Sequence, residues 1–468
     1  MTVPHARARR APRSVCLAML CSVGCAQADA ENNGPQGKLL ADQEDYSALA
    51  ERPRQGWEKW KYLPLGDGWL SLGGESRTLY DYREHAGFGR FATDPHGYAQ
   101  QRLRLWADYR PSAYVRLFGE LADSRVAGLQ TRPVQATDRN PLDLAQGFVE
   151  LSDGQKAPAW RLRAGRQQIA YAWQRLLDPR DPANSRMPFD AVRLLTRQPR
   201  WSGGLLWGRP VLTRTGSFDD RANRDQRLWG AHAEVPLSPS QPKTALLETL
   251  YLDTVQDGRR YGGVVGEEHR HTLSTRLSGA VQGWDYDLEL IGQRGHFAGQ
   301  RVRAWQGTLF GGYTFATTTW SPRLGWRMEV SSGDRDPRDG ELNTFNGLYA
   351  RASVFDGSMI SSNVRAIGPE LVLRPSERLW IDMYVLKLQR QSLHDGVYAA
   401  GWRVLQPGDA NDARDIGTRS VLWVKYRFNA FASLDVYAHY TQAGPFLREG
   451  PVRGRDSFYI APFLTLRF

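Results

Sequence analysis

The feature that most constrains this chain is a two-residue alternation of apolar and polar side chains, which recurs from Trp69 to the C-terminus. Within residues 102–109, for example, leucine, alanine and tyrosine alternate with arginine, tryptophan and aspartate. Successive side chains of a β-strand point to opposite faces of its sheet, whereas a helix repeats its apolar positions every three to four residues. The alternation therefore predicts an almost entirely β structure, whose strands have one apolar face and one charged face.

Turn-forming residues divide this pattern into eighteen predicted strands, an even number, as single-chain barrels of the bacterial outer membrane require. The predicted strands lie near 69–83, 97–110, 112–123, 144–152, 159–166, 188–198, 201–216, 226–236, 244–256, 268–281, 283–296, 301–316, 319–332, 360–375, 378–391, 417–429, 431–442 and 456–468.

The connections between these strands alternate between short and long. Short turns fall at 110–112, 198–200 and 375–377, whereas long connections fall at 124–143 and 333–359. Short periplasmic turns and long extracellular loops are typical of outer-membrane barrels. A soluble sandwich or propeller gives no reason for this alternation, and the chain lacks the 40–50-residue repeat of a propeller. A soluble all-β enzyme remains the alternative because each single strand signal is weak.

The final strand ends the chain on an aromatic residue. Its apolar face is formed by Ile460, Pro462, Leu464, Leu466 and Phe468. This arrangement resembles the closing strand of a bacterial outer-membrane barrel, in which the terminal phenylalanine is part of the signal read by the barrel assembly machinery. The alternative is a C-terminal edge strand of a soluble β protein.

The N-terminus has the pattern of a secretory signal peptide. Four arginines precede a short apolar stretch at 15–26, and Ala26-Gln27-Ala28 forms an A-x-A cleavage site. All three cysteines, Cys16, Cys21 and Cys25, lie in this segment, so cleavage after Ala28 leaves no disulfide and no thiolate ligand in the mature protein. Residues 22–25 partly resemble a lipobox, but a serine stands where a large aliphatic residue is expected.

Three parts of the chain follow from these signals. They are a signal peptide at 1–28, an N-terminal periplasmic segment at 29–68 and an outer-membrane β-barrel at 69–468. After the N-terminus no run of about 18 apolar residues occurs, which excludes a helical membrane protein. The predicted location is the outer membrane of a Gram-negative bacterium, after cleavage of the signal peptide.

The charge of the chain favours an anion-conducting lumen. The formal net charge is +11, and removing the four arginines of the signal peptide leaves +7. The basic residues are spread over one or two positions per strand instead of forming a patch, which argues against a nucleic-acid partner. A narrow cleft lined by one sign of charge concentrates counter-ions, so a basic lumen would select anions.

The inward-facing positions of the predicted strands supply the candidate substrate contacts. The predicted basic lumen residues are Arg102, Arg104, Arg116, Arg161, Arg163, Arg166, Arg193, Arg327, Lys425 and Arg427. Acidic partners that would moderate their grip are Glu120, Asp190, Glu329, Glu370, Asp382 and Asp435. For each arginine the alternative is a structural role, since barrel interiors also hold arginine–carboxylate pairs that only rigidify the wall.

The sequence predicts neither an enzyme nor a cofactor or metal site. A P-loop, an H-E-x-x-H helix and a G-x-S-x-G elbow are all missing from the sequence. His269 and His271 share one strand face, but the sequence shows no third ligand near them, so a surface or lumen pair is expected. The acidic and basic segment 334–340 is interpreted as a solvated outer loop, although its carboxylates could also bind Ca²⁺.

More specific motifs lie between Gly165 and Leu194. They are G-R-Q at 165–167, a loop with an aromatic residue and an arginine, and F-D-A-V-R at 189–193; upstream, 69–77 reads W-L-S-L-G-G-E-S-R. These motifs resemble those of the alginate export family of outer-membrane barrels, and the resemblance runs from about residue 60 to the end. The chain departs from the family's named member in a Pro- and Arg-rich loop at 167–187 and in a short N-terminal extension.

The resemblance implies passive export of an alginate-like polyuronate through an arginine-lined barrel of about 18 strands. The alternative function is a substrate-selective uptake porin for small anionic sugars or carboxylates. A purely adhesive or structural barrel is disfavoured by the charge of the inward faces. The expected partners are an anionic polysaccharide or small anion, outer-membrane lipid, the assembly machinery through Phe468, and periplasmic export components.

Overall fold

The structure is a computed structural model that describes residues 35–155, 157–171, 173–238, 240–261, 263–350 and 358–468. The predicted signal peptide and its three cysteines lie outside the described residues. None of the described helices is long and apolar enough to cross a membrane.

Eighteen long antiparallel strands form a closed barrel in the described residues. They are β1 (Gly68–Glu84), β2 (Tyr98–Arg110), β3 (Val115–Ala127), β4 (Asn140–Ser152), β5 (Trp160–Gln167), β6 (Phe189–Arg197), β7 (Ser202–Leu212), β8 (Gln226–Pro236), β9 (Leu246–Tyr261), β10 (Val264–Val281), β11 (Trp284–Phe297), β12 (Gln300–Thr314), β13 (Arg323–Ser331), β14 (Val364–Ser376), β15 (Leu379–Arg390), β16 (Asp415–Arg427), β17 (Ala432–Ala443) and β18 (Ser457–Arg467). Each strand pairs with its neighbours in sequence, and β18 returns to pair with β1.

The predicted fold class and all eighteen predicted strands are confirmed, with differences only at strand ends. β4 begins at Asn140, four residues before its predicted start, and pairs with β3 across two register shifts. β13 begins at Arg323 instead of 319, because residues 315–322 form the turn from β12. At the first of the two register shifts between β3 and β4, Ala145 is an extra residue, so Leu144 faces outward and Gln146 inward although they are two positions apart. A search for strict alternation does not anticipate such a bulge.

The barrel wall has an apolar outer face and a polar inner face. On β2, Leu103 and Leu105 are exposed, whereas Arg102 and Arg104 are buried inside. This alternation gives the lipid-facing band that a membrane barrel requires, while pairing between neighbouring strands of the closed sheet satisfies the backbone groups. Tyr114 lies in the β2–β3 turn and is 62% exposed.

The two ends of the barrel differ. At one end, called here the short-turn end, β1 begins, β18 ends, and short turns such as 377–378 and 428–431 join the strands. At the other, the long-loop end, the connections include 168–188, 332–363 and 391–414. By the asymmetry of outer-membrane barrels, the short-turn end faces the periplasm.

Residues 35–67 fill part of the short-turn mouth instead of forming a separate domain. They contain short helical turns at Ala41–Gln43, Ser47–Glu51 and Glu58–Lys61, and the strand Leu63–Leu65 pairs with the start of β1. Ala41 is buried against three inward-facing aromatic side chains of the wall, those of Trp106, Phe118 and Phe148.

The long connection between β5 and β6, residues 168–188, folds into the lumen. Ile169, Leu176 and Leu177 are buried there against inward-facing apolar residues of β6 to β12. A second inserted segment, 343–350, meets it through a parallel bridge between Leu177 and Tyr349. Apolar packing inside a charged barrel therefore fixes the two loops against the wall and narrows the lumen.

We expect that Gly74→Ala destabilises barrel closure by about 1–3 kcal/mol. A Cβ at Gly74 would lie 2.3 Å from the Phe468 ring, and the two residues share a pair of backbone hydrogen bonds at the seam between β1 and β18. The measurement is the urea midpoint of unfolding of the purified barrel, with the heat-modifiable shift in gel mobility as the readout of the folded fraction. Gly119→Ala is the matched control because a Cβ there meets no atom within 4 Å; equal midpoints for the two variants would contradict the prediction.

Candidate functional site

The candidate site is a continuous cavity of about 2120 Å³ inside the barrel. Its lining includes Gln36 and Arg427 at the short-turn end and Phe91 and Trp402 at the long-loop end. Among the described residues that line it, basic side chains outnumber acidic ones. The cavity thus extends towards both mouths despite the inserted segments.

The cavity does not touch the whole inner wall. Of the predicted lumen cations, Arg102, Arg327, Lys425 and Arg427 line it, whereas Arg104, Arg116, Arg161, Arg163 and Arg193 do not. The residues of the second group lie on β2 to β6, where the N-terminal segment and loop 168–188 cover the wall. The sequence therefore identified inward-facing side chains, but not which of them remain accessible.

Arg104 is an example of a covered cation. Its side chain is 2% exposed, and its Nε donates to the Glu120 carboxylate at 2.7 Å. Glu75 lies 3.4 Å from the same guanidinium, and Gln146 donates to Glu120 at 2.8 Å. This buried network holds the Arg104 guanidinium against the wall through Glu120 and Glu75, away from the cavity lining.

The N-terminal segment covers two more of the predicted arginines. Asp42 forms an ion pair with Arg163 through its carboxylate and accepts a 2.7 Å hydrogen bond from Arg116 through its backbone carbonyl. Arg163 also pairs with Glu150 at 2.6 Å, while Arg161 is the outermost member of this group, 4.0 Å from Glu150. These contacts hold residues 40–43 against the wall.

Loop 168–188 is held by the same kind of pairing. Asp181 receives a 2.7 Å hydrogen bond from Arg102 and pairs with Arg186 of its own loop. Arg77 donates to the Asp181 backbone carbonyl at 2.7 Å, and Arg193 donates to the Tyr171 hydroxyl at 2.8 Å. Arg102 lines the cavity but is only 2% exposed, so its charge acts on the lumen mainly through its field.

The opposite wall, β13 to β18, borders the open path. Arg327 donates to Glu370 at 2.8 Å and lies 3.0 Å from Asp382. Glu329 lines the cavity nearby and is 3.5 Å from the Gln306 amide nitrogen. These predicted positions are inward-facing, as expected, and the arginine is already shared between two carboxylates.

Nearer the short-turn end, two predicted cations are much more accessible. The Lys425 ammonium lies 3.9 Å from Asp435 and 4.1 Å from the centre of the Trp423 ring, and its side chain is 27% exposed. Arg427 is an exposed residue of the cavity lining. The loosely paired Lys425 ammonium can exchange Asp435 for a ligand carboxylate.

Arg427 and Lys425 belong to a basic vestibule at the short-turn end. We define the vestibule by the cavity-lining residues Arg374, Arg378, Lys425, Arg427 and Arg467. Its acidic members are fewer: Asp435 beside Lys425, Glu75 beside Arg467 and Glu377 in the β14–β15 turn. The vestibule therefore presents excess positive charge to the periplasmic side.

Four aromatic side chains line the path above the vestibule. Trp380, Trp423, Tyr437 and Tyr459 lie on β15, β16, β17 and β18, and successive ring centres are 5.5, 6.0 and 6.1 Å apart. The strand registers place Trp423 and Tyr437 at the same height along the barrel axis. Trp380 lies nearer the short-turn end than this pair, and Tyr459 lies nearer the long-loop end. This aromatic track ends at Arg83, whose guanidinium lies 4.3 Å from the Tyr459 ring centre.

Sequence reasoning missed this track, although a signal existed. The predicted lumen set holds only charged residues, and none of the four aromatic residues of the track is among them. Trp423 lies two positions before Lys425, so it shares the inward face by strand periodicity. Trp106 also faces inward, but it packs against the N-terminal segment instead of lining the cavity.

The lumen prediction for Arg166 and Asp190 is wrong. Both have the outward register of exposed Leu162 and Val192, because inward-facing Arg163 and Arg193 are an odd number of residues away. The two side chains pair with each other at 2.8 Å on the outer face. Both residues belong to the motifs shared with the family, G-R-Q at 165–167 and F-D-A-V-R at 189–193. The two-residue period of the strands places both of them outside.

His269 and His271 also lie on the outer face, so of the two expected placements, surface or lumen, the structure shows the surface. The structure adds a neighbour that the sequence did not reveal: Asp253 of β9 accepts from the Nε2 of His269 at 2.9 Å and lies 3.3 Å from the Nδ1 of His271.

The outer loop at 334–340 contributes Asp334, whose backbone donates to the Asp395 carboxylate at 2.8 Å.

Comparison with protein families gives one match. Residues 68–459 match the model of a family described as alginate export. The match starts at the first barrel strand and continues to within nine residues of the end of the sequence. No curated protein sequence is significantly similar to the chain.

Solved structures with the same fold are outer-membrane proteins with little sequence similarity. OccAB1 from Acinetobacter baumannii has a TM-score of 0.58 at 12% identity, covering 88% of this chain and 99% of its own. OpdK from Pseudomonas aeruginosa, solved with vanillate, has a TM-score of 0.56 at 10% identity, covering 85% and 98%. OccD3 (OpdP) from the same organism has a TM-score of 0.56 at 11% identity, covering 89% and 95%.

Asp42→Ala is expected to release the N-terminal segment from the wall and to raise single-channel conductance. Removing the carboxylate leaves part of the Arg163 charge uncompensated, at a cost of about 3 kcal/mol. Gln36, Gly37 and Gln43 of this segment line the cavity, so their departure widens the path. The measurement is conductance in a planar bilayer.

Asp45→Ala is the control. Asp45 lies in the same segment but is exposed, and its contact with Arg110 is long, at 3.5 Å. Unchanged conductance of Asp42→Ala, with a wild-type urea midpoint, would show that this pair does not hold the segment.

Acidification from pH 7 to pH 5 is expected to tighten the contact between loops 332–350 and 391–399. Burial raises the pKa of Asp334 to about 6, with the nearby Asp395 charge as the next cause, and burial also raises the pKa of Asp395. A carboxyl group whose pKa is raised in the folded protein stabilises the folded loops fully at pH values below its unfolded pKa, which is near 4. This stabilisation is lost as the pH rises through the folded pKa of Asp334, about 6.

The measurement for this prediction is hydrogen exchange of the two loops, corrected for intrinsic rates. Protection should increase at pH 5 in the wild type and increase less in Asp334→Asn. Protection that is weaker at pH 5 than at pH 7 would contradict the assignment.

Proposed function

Because the chain belongs to the alginate export family of outer-membrane barrels, we propose that it is a passive porin that conducts an alginate-like polyuronate out of the cell. The barrel contributes a path and no energy, so the polymer must be driven by the machinery that makes it behind the membrane. Periplasmic export components would deliver the polymer to the short-turn end.

The observation that carries this proposal is the basic vestibule followed by the aromatic track. A polyuronate carries one carboxylate on each sugar, and it would meet Arg374, Arg378 and Arg427 first. Positive charge in a narrow mouth concentrates anions and favours their entry over that of cations. The acidic residues of the vestibule, being fewer, weaken this attraction without reversing it.

The track supplies the second kind of contact that a charged sugar needs. A sugar ring has C–H-rich faces that pack on aromatic rings, while its carboxylate projects from the ring edge and remains free to meet a cation. Trp423 and Lys425 are adjacent on the path and offer both a ring face and an ammonium group. Tyr437 and Tyr459 continue the aromatic surface towards Arg83.

Repeated weak contacts suit transport better than one strong site. A pore must bind its substrate well enough to admit it and weakly enough to release it. The Lys425 ammonium keeps a partial partner in Asp435 at 3.9 Å, and Arg327 is shared by two carboxylates. These pairs lower the net attraction at each step, so no single position along the track holds the polymer.

The second candidate is uptake of small anionic sugars or carboxylates. The observation that favours it is the filling of the lumen by loop 168–188 and residues 343–350, which suits a small solute more readily than a polymer. One similar barrel, OpdK, was solved with vanillate, a small carboxylate. The same vestibule and track would serve this function in the opposite direction.

Block of the open channel by defined uronate oligomers distinguishes the two functions. We expect oligouronates added on the periplasmic side to block current, with an affinity that grows with oligomer length. Trp423→Ala and Lys425→Gln should each weaken the block about five- to tenfold, which corresponds to the loss of about 1 kcal/mol of stacking or cation contact.

Matched controls lie on the outer face of the same barrel. Trp326→Ala removes an exposed outward tryptophan, and Lys387→Gln removes an outward lysine paired with Asp415; neither should alter the block. Length-independent block by small carboxylates, with no effect of oligouronates, would favour uptake. Equal effects of the inward and outward variants would exclude the track as the substrate path.

A further inference from the structure

A second concentration of basic residues lies outside the lumen, on the outer face of β10, β11 and β12. We infer that it binds the phosphate groups of an outer-leaflet glycolipid. The cross-strand registers define an array of two rows, each with one residue from each strand: His271–Arg294–Arg303 and, nearer the long-loop end, His269–His296–Arg301. We call these six residues the outer basic array.

The position of the array fits the membrane surface. The next outward row towards the short-turn end is Leu273–Gly292–Trp305, in which the leucine is 51% and the tryptophan 38% exposed. The face therefore changes from apolar to basic within one outward step. Because the long-loop end is extracellular, this border lies where the headgroups of the outer leaflet begin.

The centre of the array lacks internal compensation. Arg294 and Arg303 are direct cross-strand partners, and like charges placed opposite each other destabilise a sheet. Among the described residues, no carboxylate lies within salt-bridge distance of either arginine. Two carboxylates at the edges serve other members: Asp253 contacts the histidines His269 and His271, and Glu341 lies 3.3 Å from Arg301.

The surroundings leave the array open to a lipid. β11 and β12 are joined only by Ala298 and Gly299. Among the described residues, the long connection 332–363 reaches the array at its edge, where Glu341 and Leu342 pair with Arg301 and Val302 of β12. A Cβ at Gly292 would meet no atom within 4 Å, which leaves an open depression directly below the two central arginines. An acyl chain can lie in this depression between Leu273 and Trp305 while its phosphate reaches the guanidinium groups, which bind phosphate in a bidentate way.

The test is the amount of phosphorylated lipopolysaccharide that stays bound to the full-length barrel purified in mild detergent. Arg294→Gln combined with Arg303→Gln should lower the bound lipid at least about tenfold, since each arginine near an anionic surface contributes roughly a fivefold gain in binding. The double lysine variant keeps both charges and should retain most of the lipid. Heat-modifiable gel mobility establishes that each variant is folded.

Arg209→Gln is the matched control. Arg209 also faces outward, but Asp190 lies opposite it in the ladder, so its removal should leave the bound lipid unchanged. If the double glutamine variant does not fold, Arg303→Gln alone should still lower binding several-fold. Bound lipid at the wild-type level in a folded double variant would overturn the proposal.

Defined probes separate lipid phosphate from other sources. Wild-type barrel should bind vesicles with phosphorylated lipid A at least about tenfold more tightly than vesicles with the dephosphorylated form. Equal binding of both forms would overturn the role of phosphate. Displacement of the lipid by millimolar inorganic phosphate would instead assign the array to a free anion, and would also overturn the proposal.

Discussion

The structure depends on the seam where β18 pairs with β1. A sheet of eighteen strands in a membrane has no water to satisfy an open edge, so closure is the condition for all backbone hydrogen bonding. Phe468 and Gly74 exchange backbone hydrogen bonds at this seam, and the glycine leaves room for the phenylalanine ring. Lys61 donates to the Phe468 carbonyl at 2.8 Å, so the seam also anchors the N-terminal segment.

Closure creates a sealed interior that must accommodate many charges, and the chain uses two arrangements for them. On β2 to β6 the arginines are buried and paired with wall carboxylates, with Asp42 of the N-terminal segment and with Asp181 of the inserted loop. On β13 to β18 the path stays open, and Lys425 keeps a loose partner. Basic side chains thus hold the N-terminal segment and loop 168–188 against one wall, whereas on the other wall they face the path.

The strands, their number and the face of nearly every side chain could be predicted because a two-residue period is a local signal. The same period would have placed Arg166 and Asp190 outside, had it been given more weight than the motif around them. It would also have placed Trp423 inside with Lys425. The covering of Arg104, Arg116 and Arg163 could not be predicted, since it depends on contacts with chain segments far away in sequence, such as Asp42. The pairing of Arg294 with Arg303 required the register of β11 and β12, which only the structure supplies.

The proposed function requires that the lumen between the vestibule and Arg83 favours anions. It is tested most directly by the reversal potential of the wild-type barrel in a planar bilayer under a tenfold KCl gradient. The account predicts a potential of the sign set by chloride permeation, which moves towards zero when Lys425 and Arg427 are replaced by glutamine. A cation-selective reversal potential, or one that does not respond to these two replacements, would contradict it.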